Sequence, residues 1–77
     1  SALVIKPCQS IHTFFMRFPI DAVFVNGDDR VIHIIENMGS NRFSRILLKA
    51  RLVIELPAGT VGATMTQVGD KVVLTSQ

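Results

Sequence analysis

Apolar residues in this chain fall in short runs of roughly period two, and turn-forming residues separate the runs. Such alternation is typical of β-strands, because successive side chains of a strand face opposite sides of the sheet. We therefore expect a mainly β fold, a small barrel-like sheet with antiparallel or mixed pairing and at most one or two short helices. About six strands are predicted, over residues 2–7, 11–18, 20–25, 30–37, 51–56 and 71–76.

The turn signals between these runs add local detail. Asn26 and Gly27 follow the third predicted strand, and Asn-Gly is a strong hairpin signal because both residues tolerate a positive φ. The pattern therefore predicts a hairpin between the third and fourth strands. One helical turn is predicted over 61–67. Residues 45–51 are compatible with a helix or with an extended arm that leads into the next strand.

The segment from residue 11 to 25 is apolar on both faces of its predicted strands, as in a small closed barrel or a sheet covered on both sides. Alternation predicts that one face of strand 11–18 packs into the core. That face consists of His12, Phe14, Met16 and Phe18, and Arg17 lies on the other.

This apolar segment also contains charged and titratable residues, and Glu55 interrupts a later apolar run. A buried charge is costly unless it is paired, so we expect Arg17 to pair with Glu55 or Asp21. The candidate ligand-binding residues are those that would share one concave surface, namely His12, Thr13, Arg17, Asp21 and Glu55.

Catalytic and metal signatures are weak. The single cysteine, Cys8, rules out an intrachain disulfide, and no paired-cysteine spacing suggests a zinc site. No phosphate-binding loop or glycine-flanked serine is present. We therefore predict no catalytic residue, metal or cofactor. The enzymatic alternative is a small-ligand or metal-assisted site around His12, Cys8 and Arg17.

The net charge of +2 is modest, and there is one local cluster of cations. A solvated loop is the simplest interpretation of that cluster. Nucleic-acid binding is an alternative, because Phe43 lies among the cations and bases stack on aromatic rings. The residues concerned are Arg42, Phe43, Arg45, Lys49 and Arg51.

Length and hydropathy limit the cellular setting. A single domain over 1–77 buries roughly 60 to 65% of the surface of its unfolded chain. Uncharged stretches fall well short of the roughly 20 apolar residues of a membrane-spanning helix. No secretory signal is visible. We expect a cytoplasmic protein with no membrane partner.

Four blocks of the sequence resemble, in the same order, the domain-of-unknown-function 192 family. They are PCQSIHTFFMRFPIDAVFV (7–25), RVIHIIENM (30–38), ARLVIELPAGTV (50–61) and VGDKVVL (68–74). The resemblance implies a compact, mostly β, barrel-like domain of the cytoplasmic bacterial type. It implies no particular reaction, because the family is uncharacterised.

The family usually has a further strand-containing segment before the first strand seen here. The resemblance therefore predicts an N-terminally shortened member with an exposed sheet edge. Such edges pair with other chains, and association would add buried area to a small core. We expect a homodimer formed through this edge. The leading hypothesis is a non-enzymatic binding or interaction domain whose ligand or protein partner the sequence does not identify.

Overall fold

The computed structural model describes residues 2–14 and 16–74. Phe15, in the apolar block, and residues 75–76 of the predicted last strand therefore lie outside the described residues, as do Ser1 and Gln77. The described residues contain four strands and one helix. These elements are β1 (Leu3–Ile5), β2 (Ile20–Asn26), β3 (Val31–Met38), β4 (Ala50–Pro57) and α1 (Thr60–Thr64).

The strands form one antiparallel sheet in the order β1-β4-β2-β3. The central strands are β4 and β2, and the edges are β1 and β3. The prediction of a mainly β fold with a short helix is confirmed. The prediction of about six strands in a barrel-like sheet is wrong, because the described chain forms four strands in a sheet that stays open.

Two predicted strands are replaced by isolated bridges. The described part of 11–18 forms one bridge, between His12 and Phe43, and the described part of 71–76 forms one, between Arg30 and Lys71. The first segment bonds to an irregular loop instead of a sheet strand. The apolar alternation in 11–18 therefore reflects a segment that packs on the sheet and bonds to a loop, and it does not correspond to a strand of the sheet.

The predicted hairpin between β2 and β3 is confirmed. The side-chain Oδ1 of Asn26 accepts hydrogen bonds from the backbone N–H groups of Asp28, at 3.0 Å, and Arg30, at 2.9 Å. The positive φ in this turn, +60°, belongs to Asp29 rather than to Gly27. Asn26 therefore shapes the turn mainly through its side chain, as short polar residues commonly do.

Both faces of the sheet are covered, which agrees with the second of the two arrangements predicted for the apolar block. Phe24 and Val53 belong to the core on one face, and Val23 and Leu52 to the core on the other. Ile11 packs on the first face and Val61 of α1 on the second. The central strands are therefore buried on both sides, as their almost continuous apolar sequence requires.

The face predicted to be buried in 11–18 is wrong. Phe14 and Phe18 are 58% and 75% exposed, whereas Ile11 and Thr13 are buried. The backbone of Ile11 and Thr13 pairs with the loop that follows β3, and this pairing turns the side chains of these two residues inward. Strand alternation from residue 11 to 18 does not hold, because the segment is not one regular strand.

The predicted helical turn exists as α1, a helix of five residues. Residues 45–49 contain no helix, so the helical alternative for that segment is wrong. The segment is not extended throughout either, because 48–49 form a turn, in which the Ala50 N–H donates to the Leu47 carbonyl at 2.9 Å, before β4 begins at Ala50. In the described parts of the chain, no helix has the length and apolar character needed to cross a bilayer.

Candidate functional site

The five candidate ligand-binding residues lie in three places. Arg17 and Glu55 line a surface groove. Thr13 and Asp21 are buried. His12 stacks in a group of aromatic rings near the loop after β3. The structure thus brings two of the five residues into one concave surface.

The groove that contains Arg17 and Glu55 has a volume of about 790 Å³. Glu55 is half-buried in β4 and lies directly opposite Leu3 of the edge strand β1. We call this surface the apolar groove. Its lining residues are Ala2, Leu3, Met16, Arg17, Phe18, Pro19, Ile20, Glu55, Leu56, Pro57 and Ala58.

Most of the lining is apolar, and much of it is open to solvent. Leu3 is 57% exposed and Phe18 is 75% exposed. Clustered exposed apolar groups usually mark a site of interaction. Sequence reasoning missed these residues because alternation placed Phe18 in the core. The available signal was Pro19, which ends the strand pattern immediately after Phe18 and before β2.

Asp21, in β2, is completely buried and bonds to three backbone N–H groups. Its Oδ1 accepts from Asn37 at 2.9 Å. Its Oδ2 accepts from Gly59 at 3.1 Å and from Val61 at 2.8 Å. The Asp21 carboxylate is therefore bonded to the backbone, and it is not placed to pair with Arg17. Of the two partners predicted for Arg17, Glu55 is the one that lines the same groove.

Asp21 also supplies what the helix lacks at its start. Gly59 is the N-cap of α1, with φ of 95°, and it has no side chain that could accept a hydrogen bond from the first turn. The free N–H groups of a helix start require an acceptor, and an anion there is favoured by the helix dipole. The Asp21 carboxylate provides that acceptor from a neighbouring strand.

Thr13 plays a similar architectural part beside the loop that follows β3. Its buried hydroxyl donates to the carbonyl oxygen of Gly39 at 2.6 Å and accepts from the N–H of Arg42 at 3.1 Å. In residues 2–14 and 16–74, every buried side-chain nitrogen or oxygen has a hydrogen-bond partner. The polar groups of Thr13 and Asp21 are therefore satisfied by the protein itself.

Replacing Thr13 with valine is expected to lower the free energy of unfolding by about 1–3 kcal/mol, because the Arg42 N–H and the Gly39 carbonyl each lose a buried partner. Thr13→Ser is the matched control, since it keeps the hydroxyl. Urea unfolding gives the stability, and amide exchange at Arg42 gives the local effect. Equal exchange rates in the two variants would contradict this role for the hydroxyl.

His12 lies between two phenylalanine rings. Its ring is stacked on Phe43, with centroids 3.7 Å apart and an interplanar angle of 18°, and it is tilted against Phe14 at 3.9 Å. We call these three residues the aromatic cluster. His12 is half-buried, while both phenylalanines are exposed. The cluster therefore holds the imidazole ring in a fixed position at the surface.

The residues of the enzymatic alternative do not meet. Arg17 lies in the apolar groove, His12 in the aromatic cluster, and Cys8 in a separate cavity of about 470 Å³ that Lys49 and Arg51 also line. The Cys8 thiol donates to the Ser10 carbonyl at 3.1 Å. Within the described residues, no group of three or more His, Cys, Asp or Glu side chains is arranged to hold a metal ion.

The chain matches a known protein family over nearly its whole length. The family model DUF192, described as an uncharacterized ACR, matches residues 1–74. The chain belongs to this family. The matched range covers the sheet, α1 and nearly all of the last segment, and it contains both the groove residues and Asp21. No curated protein matches the sequence.

The DUF192 fold is shared with a solved structure, a protein of unknown function from Novosphingobium aromaticivorans DSM 12444. The TM-score is 0.81, the sequence identity is 21%, and the match covers 91% of this chain. At that identity the likeness shows a common fold alone. The chain spans about half of that protein, since the match covers 54% of its length.

Proposed function

We propose that this DUF192 chain is a non-enzymatic interaction domain, and that its β1 edge and apolar groove receive a second copy of the chain. The observation that carries the proposal is the position of the groove. Leu3 belongs both to the edge strand and to the groove lining, so the open backbone edge and the exposed apolar surface form one continuous site.

The edge strand favours an extended polypeptide as the occupant. In the described chain β1 pairs with β4 on one side only, so its other side presents backbone N–H and C=O groups that an added strand can bond. Its residues Leu3 and Val4 point to opposite faces, and both are exposed. An added strand would cover groups on both faces of the sheet at once.

The shape of the groove also favours a polypeptide over a small molecule. Small-molecule sites bury about 70–90% of the ligand surface. Here the walls include residues that are largely exposed, such as Phe18 and Leu3, so they lie at the surface instead of enclosing a ligand.

The charges in the groove favour a second copy of the chain as its occupant. The groove carries one cation, Arg17, and one anion, Glu55. A two-fold axis through paired β1 strands brings the same patch against itself, so the arginine of each copy can face the glutamate of the other. Antiparallel pairing of two identical edge strands satisfies this symmetry.

Sedimentation velocity from low to high micromolar concentration tests the proposal, and we expect a monomer–dimer equilibrium. Arg17→Glu alone and Glu55→Arg alone are expected to weaken the dimer at least about tenfold, because each places like charges across the interface. An equimolar mixture of the two variants should recover it, because opposite charges face each other again in the mixed dimer. Leu3→Lys should abolish association by placing a charge at the apolar edge.

A monomer at high micromolar concentration would overturn the proposal. So would a dimer that Leu3→Lys leaves intact, because that dimer would use another surface. If the chain is monomeric, amide NMR titration with metals, nucleotides and small carboxylates tests whether the groove binds a small ligand instead. Shifts around Arg17 and Glu55 with a small carboxylate would assign the groove to a small ligand.

A further inference from the structure

A second surface, whose residues do not line the apolar groove, is formed by the loop after β3. The loop follows a fixed course because its backbone bonds to the segment that precedes β2. Thr13 donates to Arg42 at 3.0 Å, Ser44 donates to Ile11 at 2.9 Å, and the backbone N–H of residue 47 donates to the carbonyl of residue 9 at 2.8 Å. These bonds join the loop to the segment before β2, although neither segment is a sheet strand.

This course places an aromatic ring at the surface in a set orientation. His12 and Phe43 are bridge partners across the two segments, and their rings stack at 3.7 Å. The Phe43 side chain is nevertheless 75% exposed. A ring that is oriented by a stack on one side and open to solvent is suited to stack a planar group, and every nucleobase presents such a face.

The charge around Phe43 has one predominant sign. Residues 37–54 contain four cations and no Asp or Glu. Arg42 and Arg45, on either side of Phe43 in the sequence, are both exposed. Glu36 is the acidic residue that lines the small cavity beside Phe43 and Arg42. Cations and an exposed aromatic ring are the two components that single-stranded nucleic-acid sites combine.

We propose that this surface binds single-stranded nucleic acid, with a base stacked on Phe43 and backbone phosphates held by Arg42 and Arg45. The proposal does not depend on the dimer, because none of these three residues lines the apolar groove. Lys49, at the end of the loop, and Arg51, in β4, line the separate cavity beside Cys8.

Fluorescence anisotropy with a labelled oligothymidine of about 16 nucleotides, the upper end of site sizes for small single-strand binding folds, tests this proposal. We expect Phe43→Leu to raise the dissociation constant by about tenfold or more, since stacking on one ring is worth about 1.4 kcal/mol or more. Met65→Leu is the control, because the Met65 side chain is as exposed as that of Phe43 but lies in neither the apolar groove nor the aromatic cluster.

The electrostatic contribution has its own test. The affinity falls as salt concentration rises. When Arg42 and Arg45 both become glutamine, the slope of log affinity against log salt concentration should become shallower by about 1.4, since each phosphate contact contributes about 0.7 on a single strand. Arg30→Gln, at the opposite end of β3 from this loop, is the control and should leave the slope unchanged. Binding that is equally weakened by Phe43→Leu and Met65→Leu, or no salt-dependent binding by the unaltered chain, would overturn the proposal.

Discussion

Replacing Asp21 with alanine is expected to lower the free energy of unfolding by about 3–5 kcal/mol, because each buried N–H that loses its partner costs about 1–3 kcal/mol. The total stability of a domain of this length is about 4–12 kcal/mol. The variant should therefore lose at least about a quarter of the stability of the fold, and it would be partly unfolded at room temperature if the stability lies at the low end of this range. Urea unfolding followed by circular dichroism measures the loss.

Two further variants separate the carboxylate from the space it fills. Asp21→Asn keeps the shape but has a single acceptor oxygen, so one side of the group would present an N–H to a backbone donor. We expect Asp21→Asn to lower the free energy of unfolding, but by less than Asp21→Ala does. Asp28→Asn, at the exposed hairpin tip, is the control and should change stability by no more than about 0.5 kcal/mol. An Asp21→Ala protein as stable as this control would show that the three bonds do not support the fold.

Replacing Phe24 with alanine is expected to lower the free energy of unfolding by about 3–5 kcal/mol. Phe24 lies in the centre of β2 and has no exposed surface. It belongs to the same core cluster as Ile11, Met38 and Val53, so its ring joins the sheet to the segment that covers it. Removing the ring leaves a cavity that the central strands cannot close without losing their pairing. Thermal and urea unfolding measure the effect.

Phe18→Ala is the control for this prediction, because it removes the same ring from a position that is 75% exposed. We expect it to change the unfolding free energy little while weakening self-association through the groove. A large loss of monomer stability in the Phe18 variant would contradict the assignment of this ring to the surface. A small loss in the Phe24 variant would contradict its place in the core.

These stability predictions decide how binding experiments on the chain should be designed. Variants of Asp21 and Thr13 alter the scaffold, so a loss of binding in them says little about contact with a ligand. Arg17 and Phe43 are exposed, and changes there test the two proposed surfaces without removing a buried bond. Experiments on function should therefore vary the exposed residues and use the buried ones only to measure stability.

The sequence by itself determined the family, the mainly β class, the β2–β3 hairpin and the approximate positions of β2, β3, β4 and α1. These features have local causes. β2 and β4 are apolar on both faces, and Asn26 bonds to the backbone within its own turn. The sequence also showed that Asp21 and Glu55 interrupt apolar runs and need an explanation.

Only the tertiary structure decided what those exceptions do. Asp21 bonds to Asn37, Gly59 and Val61, which are far from it along the chain, whereas Glu55 lies at an open groove. Tertiary pairing also exposed Phe14 and Phe18, because the loop after β3 took the backbone bonds that a regular strand would have given to the sheet. Apolar periodicity records which residues can be buried, while burial itself depends on the segments that the fold brings against them.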